Sequence, residues 1–411
     1  MRKFIPKPKV CACLLASDFP SENPRTQTTH YSYTEPLATS KKTMRIALII
    51  LIGIHGIIHL FGFLKAFGIS EFNAITQPIS KTFGLVWLLT FILFAFAIVL
   101  LIFQSNYWWL SGFLAVIVSQ ILISNYWSDA KFGTIANLII LVSVIIAYSN
   151  FSFKNKIAEE RKKLFENSQA VCEKVITKET ISELPSIVQK WLTNNETIGK
   201  IPISNVHLTQ ELQLKLSPDQ ENWNNGKAEQ YFTINPPAFN WNINTKMNSI
   251  FSVVGRDKFE NGNGEMTIKL LSLISVADAK NNDKVDQATL QRYLAEIVWF
   301  PSASLSPYIK WESLDKYSAK ATMEYNGAKG TGEFYFDEKG NFKKFIAMRF
   351  QDSNAVEPTE WTVIATQTEE RNGIKIPIEC EANWKLESGK WTWLKLKIKD
   401  IQYDVKEMPD G

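Results

Sequence analysis

The sequence predicts a chain in two parts: a multi-pass α-helical membrane domain of four spans, then an α+β domain with a large curved antiparallel sheet and a covering helix. Three observations predict it. Four apolar runs, 46–64, 83–103, 107–125 and 132–149, contain no Asp, Glu, Lys or Arg. At ~1.5 Å per residue each covers roughly 27–30 Å, the thickness of a bilayer's hydrocarbon core. After Ile201 the apolar period changes to two, first in VHLTQELQLKL (206–216), and Asn-Gly pairs recur at 225–226, 261–262, 263–264, 326–327 and 372–373. Asn-Gly tolerates φ > 0 at both central positions, as a tight antiparallel hairpin requires.

The 411 residues carry a net charge of +4, unevenly placed. Residues 1–43 are basic (Arg2, Lys3, Lys7, Lys9, Arg25, Lys41 and Lys42 against Asp18, Glu22 and Glu35), and 151–411 are slightly acidic. A near-neutral second half argues against a nucleic-acid partner, because phosphate binding needs a basic face. Of the four cysteines, Cys11, Cys13, Cys172 and Cys380, the last two read as reduced thiols, with a disulfide between them left open.

Residues 1–43, rich in Pro, Ser, Thr and Lys, read as a disordered tail, or as an upstream extension with Met44 as the natural start. The membrane domain is 44–150. Lys41, Lys42 and Arg45 precede the first span and Lys154, Lys156, Arg161, Lys162 and Lys163 follow the fourth, while the connecting segments carry fewer basic residues. An even number of spans puts both ends on one side. The positive-inside bias makes that side cytoplasmic, so the predicted location is the cytoplasmic (inner) membrane, with the N-terminus and the second domain on the cytoplasmic side. Trp87, Tyr107, Trp108, Trp109, Tyr126 and Trp127 near span ends fit interfacial aromatics.

Residues 151–200 read as a helical linker: a basic helix from Lys154 to about Thr177, then one from Pro185 to about Asn194. Within 201–411, strands are predicted at 206–216, 228–234, 240–247, 250–259, 264–274, 317–325, 330–337, 342–351, 360–369, 374–386 and 390–403, with further turns at Lys339-Gly340-Asn341 and Ser388-Gly389. One helix, 286–298, interrupts them, with Asp286 as N-cap, Leu290, Tyr293, Leu294, Ile297 and Val298 as apolar stripe, and a stop at Pro301.

The segments GEMTIKLLSLISVADA (264–279), LQRYLAEIVWFPSASL (290–305), EFYFDEKGNF (333–342) and GIKIPIECEANWKL…WTWLKLKIKDIQY (373–403) resemble, in order and spacing, an uncharacterised bacterial domain family of unknown function. The resemblance runs from about 180 to 405, and the four-span block resembles the membrane half of relatives that carry both parts. It implies no known reaction. The sheet is also similar to the curved half-barrel of periplasmic lipoprotein carriers, which implies a concave face and a helix around an apolar cavity, a likeness of shape only.

No residue pattern assigns a reaction. His55 and His59, four apart in the first span, share a helix face. They read as partners of interhelical hydrogen bonds to groups such as Gln120 or Asn137, with a metal, haem, proton or quinone role as the sharper alternative. No metal site and no cofactor is predicted. Arg292 and Glu296, also four apart, read as an exposed ion pair away from the apolar stripe, or as a polar group at a cavity mouth with Trp299 beside them. Arg292 would keep Glu296 ionised, a poor state for a general acid. Arg256 and Asp257, next to a strand glycine, could mark a bulge or a ligand contact. His207, opposite the leucines of its strand, is expected on a solvated face, and no G-x-S-x-G elbow accompanies it. GAKGTG (327–332) and NGNG (261–264) read as hairpin turns, not phosphate loops. Trp241, Trp299, Trp361, Trp384, Trp391 and Trp393 could pack the core or line an apolar pocket.

The expected function is that of an integral membrane protein whose second domain binds a lipid or other hydrophobic ligand without catalysis, with self-association possible through the membrane helices. The alternatives are an enzyme for a lipophilic substrate and a membrane scaffold for a protein partner.

Overall fold

The computed structural model describes residues 37–70, 72, 75–168, 174–246 and 252–406. The expected tail up to residue 36 and Cys172 lie outside them. Two compact units meet at the Lys154/Asn155 boundary, and each is taken separately.

The first unit is four long apolar helices: α1 (Leu37–Ala66), α2 (Lys81–Ile102), α3 (Trp108–Asn125) and the first part of α5 (Gly133–Asn167), with a short α4 (Trp127–Ala130) between the last two. All four long helices have the length and apolarity to cross a membrane. α1 begins seven residues before the expected start of its domain at Met44. Small residues set the packing: Gly62 lies beneath the Trp87 ring and Gly84 against Ala66, so helix backbones approach closely. Outward positions such as Ile54, Leu89, Phe96, Ile121 and Leu138 are exposed and apolar, as lipid-facing positions are.

The second unit holds the end of α5, α6 (Ser186–Asn194), α7 (Asp283–Glu296) and thirteen strands: β1 (Asn205–Leu214), β2 (Asn224–Ile234), β3 (Pro237–Lys246), β4 (Ser252–Glu260), β5 (Asn263–Leu270), β6 (Ile274–Ala279), β7 (Ile309–Asp315), β8 (Ser318–Tyr325), β9 (Ala328–Phe336), β10 (Phe342–Arg349), β11 (Thr359–Arg371), β12 (Ile374–Leu386) and β13 (Gly389–Tyr403). They form one antiparallel sheet in the order β6-β5-β4-β3-β2-β1-β13-β12-β11-β10-β9-β8-β7. Two meanders thus meet where β1 pairs with β13, and the α7 segment links the two sheet edges, β6 and β7.

That linkage shows the curl. α7 contacts β5 and β4 near one edge and β8, β9 and β10 near the other. β5 and β9 are nine strand spacings apart in this order, about 43 Å in a flat sheet at ~4.8 Å per strand. A helix ~10–12 Å across touches both only if the sheet wraps around it. Two glycines let α7 in: a Cβ on Gly264 would fall 2.5 Å from Thr289 Oγ1, and one on Gly330 would fall 2.6 Å from Gln291 Cγ. The concave side is packed by α7, α6 and aromatic residues, among them Tyr293, Trp191, Phe232, Phe334 and Phe345.

Several expectations are corrected. α7 starts at Asp283 because the Asn282 side chain caps it, accepting from the Lys284 and Val285 N–H groups. Asp286 instead accepts from Gly264 N at 2.6 Å. α7 ends at Glu296, and two short 3-10 turns, Ile297–Trp299 and Pro301–Leu305, follow. Asn225-Gly226 is not a turn but lies inside β2, paired with Gln213 and Leu212. Asn263-Gly264 opens β5. The run 264–274 splits into β5 and β6 at Leu271 and Ser272, whose φ angles of 53° and 59° make a tight turn without glycine. β7 carries no strong alternation and was not expected. The basic helix after the fourth span ends at Asn167, short of Thr177.

Candidate functional site

Strand alternation sorts the singled-out residues onto two faces. Arg256 and Asp257 are neighbours in β4, so they point to opposite sides. The register of β4 against β3 and β5 is continuous through both, so the expected bulge is absent.

Asp257 faces α7 on the concave side. Its Oδ2 accepts from Arg292 Nη1 at 2.6 Å, and Arg292 Nε donates to Glu296 Oε1 at 2.9 Å. Glu296 Oε2 accepts from Gln230 Nε2 at 2.8 Å. The Arg292 guanidinium lies 4.6 Å from the Trp241 ring centroid, and Trp241 Nε1 donates to Gln210 Oε1 at 2.9 Å. The Arg292–Glu296 pair is therefore not exposed: it is largely buried between helix and sheet. Burial pushes the Glu296 carboxyl above the ordinary carboxylate value, against the opposing pull of Arg292 and Gln230. That direction is opposite to the one expected from Arg292 alone.

A residue missed in the sequence completes this site. Arg349, the last residue of β10, donates from Nε to the Ala288 carbonyl of α7 at 2.9 Å. Its guanidinium lies 4.7 Å from the Trp361 ring centroid and 5.7 Å from that of Trp384. Among the described residues its side chain forms no ion pair and no other hydrogen bond. Burial, then the nearby positive charge of Arg292, bring its pKa down to about 10 against the opposing pull of Asp257 and Glu296. It is a cation stacked on aromatic faces without a carboxylate of its own.

The aromatic residues around it follow from register. Trp361 of β11 pairs with Trp384 of β12, and Trp384 with Trp391 of β13. The indole N–H groups of Trp361, Trp391 and Trp393 are buried without a hydrogen-bond partner among the described residues. Burial pushes the Cys380 thiol of the same face up to about 12. It is protonated at neutral pH and a poor nucleophile. Trp299 is not beside Arg292: it is buried in the 3-10 turn, where Nε1 donates to the Pro377 carbonyl at 3.0 Å, a packing role.

Arg256 faces the convex side, 1 % exposed. Its Nε and Nη2 hold the two carboxylate oxygens of Glu160, on α5, at 2.6 and 2.7 Å, and Nη2 also holds Glu265 at 2.6 Å. Beside it Arg161 of α5 pairs with Glu229 at 2.6 Å, hydrogen-bonds Asn240 and Asn242, and stacks on Tyr231. Glu229 also takes His207 Nε2 at 2.9 Å. Burial works against the Glu229 carboxylate, yet His207 and Arg161 outweigh it and bring its pKa down to about 2. His207 is buried under this stretch of α5, not solvated as expected. α5 covers the face that strand alternation alone leaves open.

In the helical unit, His55 Nε2 lies 2.9 Å from Asn137 Oδ1 and 3.2 Å from Ser119 Oγ, and His59 Nε2 lies 2.8 Å from Ser119 Oγ. Asn137 Nδ2 donates to Gln120 Oε1 at 3.0 Å. These contacts join α1 to α3 and α5. Among the described residues no group of three His, Cys, Asp or Glu side chains has metal-site geometry.

No curated protein matches the chain. A solved structure, that of a LolA superfamily protein of Nitrosomonas europaea, is similar over 54% of this chain and 94% of its own, at 10% sequence identity and a TM-score of 0.28. At that level the likeness bears on neither ligand nor role. The model of a family of unknown function, DUF6920, matches residues 182–403, which span α6, α7 and the whole sheet. The chain belongs to this family.

Proposed function

We propose that this is a membrane-embedded binding protein whose β-rich unit takes a hydrophobic molecule with an acidic group at the Trp-lined end of its concave face, without chemical turnover. The observation that carries this reading is Arg349. A guanidinium set on two indoles, with no carboxylate in contact, suits an anionic head, and half-buried Trp391 and Trp393 adjoin the buried Trp361 and Trp384 as an apolar lining. The Arg292–Asp257–Glu296 group next to it is internally paired, so it serves to hold α7 and orient the site. The excess of Lys41, Lys42, Arg45, Lys154, Lys156, Lys162 and Lys163 at the two ends of the helical block supports the cytoplasmic membrane, with the β-rich unit on the cytoplasmic side.

The test compares wild-type and Arg349→Met full-length protein, purified in the same detergent, by native mass spectrometry before and after organic extraction. The expected result is a stoichiometric amphiphile on the wild type whose occupancy falls about tenfold or more in the variant, the loss of one charge-assisted contact. Equal occupancy would remove Arg349 from the site, and no bound amphiphile on the wild type would remove the reading. A periplasmic reporter fused after Gly411 that proved active would overturn the orientation.

A further inference from the structure

The helical unit carries a second place with the marks of a ligand site. A depression of about 180 Å3 opens at the end of the bundle where α1 begins, α2 turns into α3 and the apolar part of α5 ends. Its lining includes Arg45, Gln104, Asn106, Trp108, Ala147 and Lys154. Two cations and several amide donors face one hollow, and the chain segments around it, 44–50, 100–108 and 147–154, contain no Asp or Glu. Among the described residues neither Arg45 nor Lys154 enters an ion pair. α3 starts here without a side-chain cap, and the positive end of a helix dipole favours an anion. At ~30 Å3 per water, the hollow holds several waters or one phosphate group with its ester arms.

We infer that this depression is a binding site for the phosphate of an anionic phospholipid headgroup. Lipid is favoured over free phosphate by what borders it. Ile102, Phe103 and Tyr107 are exposed at the same turn, Phe103 at 79 %, so acyl chains have an apolar surface next to the charges. A basic pocket among helix ends with interfacial aromatics is the arrangement that holds acidic headgroups. The site does not depend on the concave-face reading: it shares no residue with it.

The experiment uses the full-length chain in detergent and native mass spectrometry, with phosphatidylglycerol, phosphatidylcholine and inorganic phosphate as probes. Phosphatidylglycerol is expected to be retained over phosphatidylcholine, and retention to fall about tenfold or more in the Arg45→Gln/Lys154→Gln double variant. Ala147→Trp keeps both charges but fills the hollow, and it should lose retention too. Lys154 is exposed, so Lys154→Gln alone serves if the double variant fails to fold, with a correspondingly smaller fall. Inorganic phosphate that fails to displace the lipid confirms the headgroup as occupant, whereas displacement by phosphate alone would overturn the lipid assignment. Equal retention of the two lipids overturns the site, as does Ala147→Trp with undiminished retention, which would leave only surface charge.

Discussion

The two faces of the sheet hold similar residues to different ends. On the convex face Arg256 and Arg161 meet Glu160, Glu265 and Glu229, all within 2.7 Å, and the result is a strap that fastens the end of α5 to β2, β3 and β4. On the concave face Arg292 is matched by Asp257 and Glu296, but Arg349 is left over. Arg349 is half-buried, and its charge is met by the Ala288 carbonyl and two indole faces instead of a carboxylate in contact. The contrast marks the buried Arg–carboxylate groups as structural and leaves Arg349 as the residue to ask about function.

The largest effect that could break this comparison is on the convex face. Arg256→Met takes the buried cation from Glu160 and Glu265, which keep only Lys156 at 3.9 Å and Lys258 at 3.5 Å, and should lower stability by about 3 kcal/mol, read as a fall in the thermal unfolding midpoint of the β-rich unit. A loss below the scatter of surface substitutions would show that the strap contributes little. Next comes acid. Glu229 has a folded pKa of about 2, below the ordinary 4.5 of a glutamate, so its contribution is fully present above about pH 4.5 and is lost as pH falls towards 2. His207→Phe removes one of its two partners, and the variant should lose less stability between about pH 5 and about pH 2.5 than the wild type does. Parallel curves would mean that His207 and Glu229 do not act together.

On the concave face, Glu296→Gln keeps the shape and leaves Arg292 paired to Asp257 alone, for an expected cost of about 1–2 kcal/mol. If it cost more than Arg256→Met, the ranking of the two faces would be reversed. The smallest stability effect belongs to Arg349→Met. One hydrogen bond and two ring contacts go but no carboxylate loses its partner, so unfolding should cost at most about 1 kcal/mol less while amphiphile occupancy falls. A strongly destabilised Arg349→Met would instead make that guanidinium a structural pin on Ala288 and the two indoles.

What could be read before the structure was local. Runs long enough to span a bilayer, alternation in the strands, and Asn-Gly turns at 261–262, 326–327 and 372–373 depend on residues a few positions apart. The φ angles of Asn326 and Gly327, 46° and 86°, are those that Asn-Gly makes cheap. The His55–Asn137 contact was also foreseeable, since a bilayer leaves an imidazole few other partners. Asn225-Gly226 shows the limit: the same dipeptide sits within β2 because pairing with β1 and β3 overrides a weak local preference.

The four apolar helices, the antiparallel character of the second unit and most of its turns are legible in the residues alone, because helix period, strand period and turn chemistry are properties of neighbours. Which face each charge occupies, and whether it finds a partner, follows from the assembled fold. The curl that puts α7 against both ends of the sheet, the cover that α5 lays over His207, and the isolation of Arg349 beside Trp361 and Trp384 all join residues far apart in the chain. Such pairings depend on the closing of long loops around a shared core, and no local pattern encodes them.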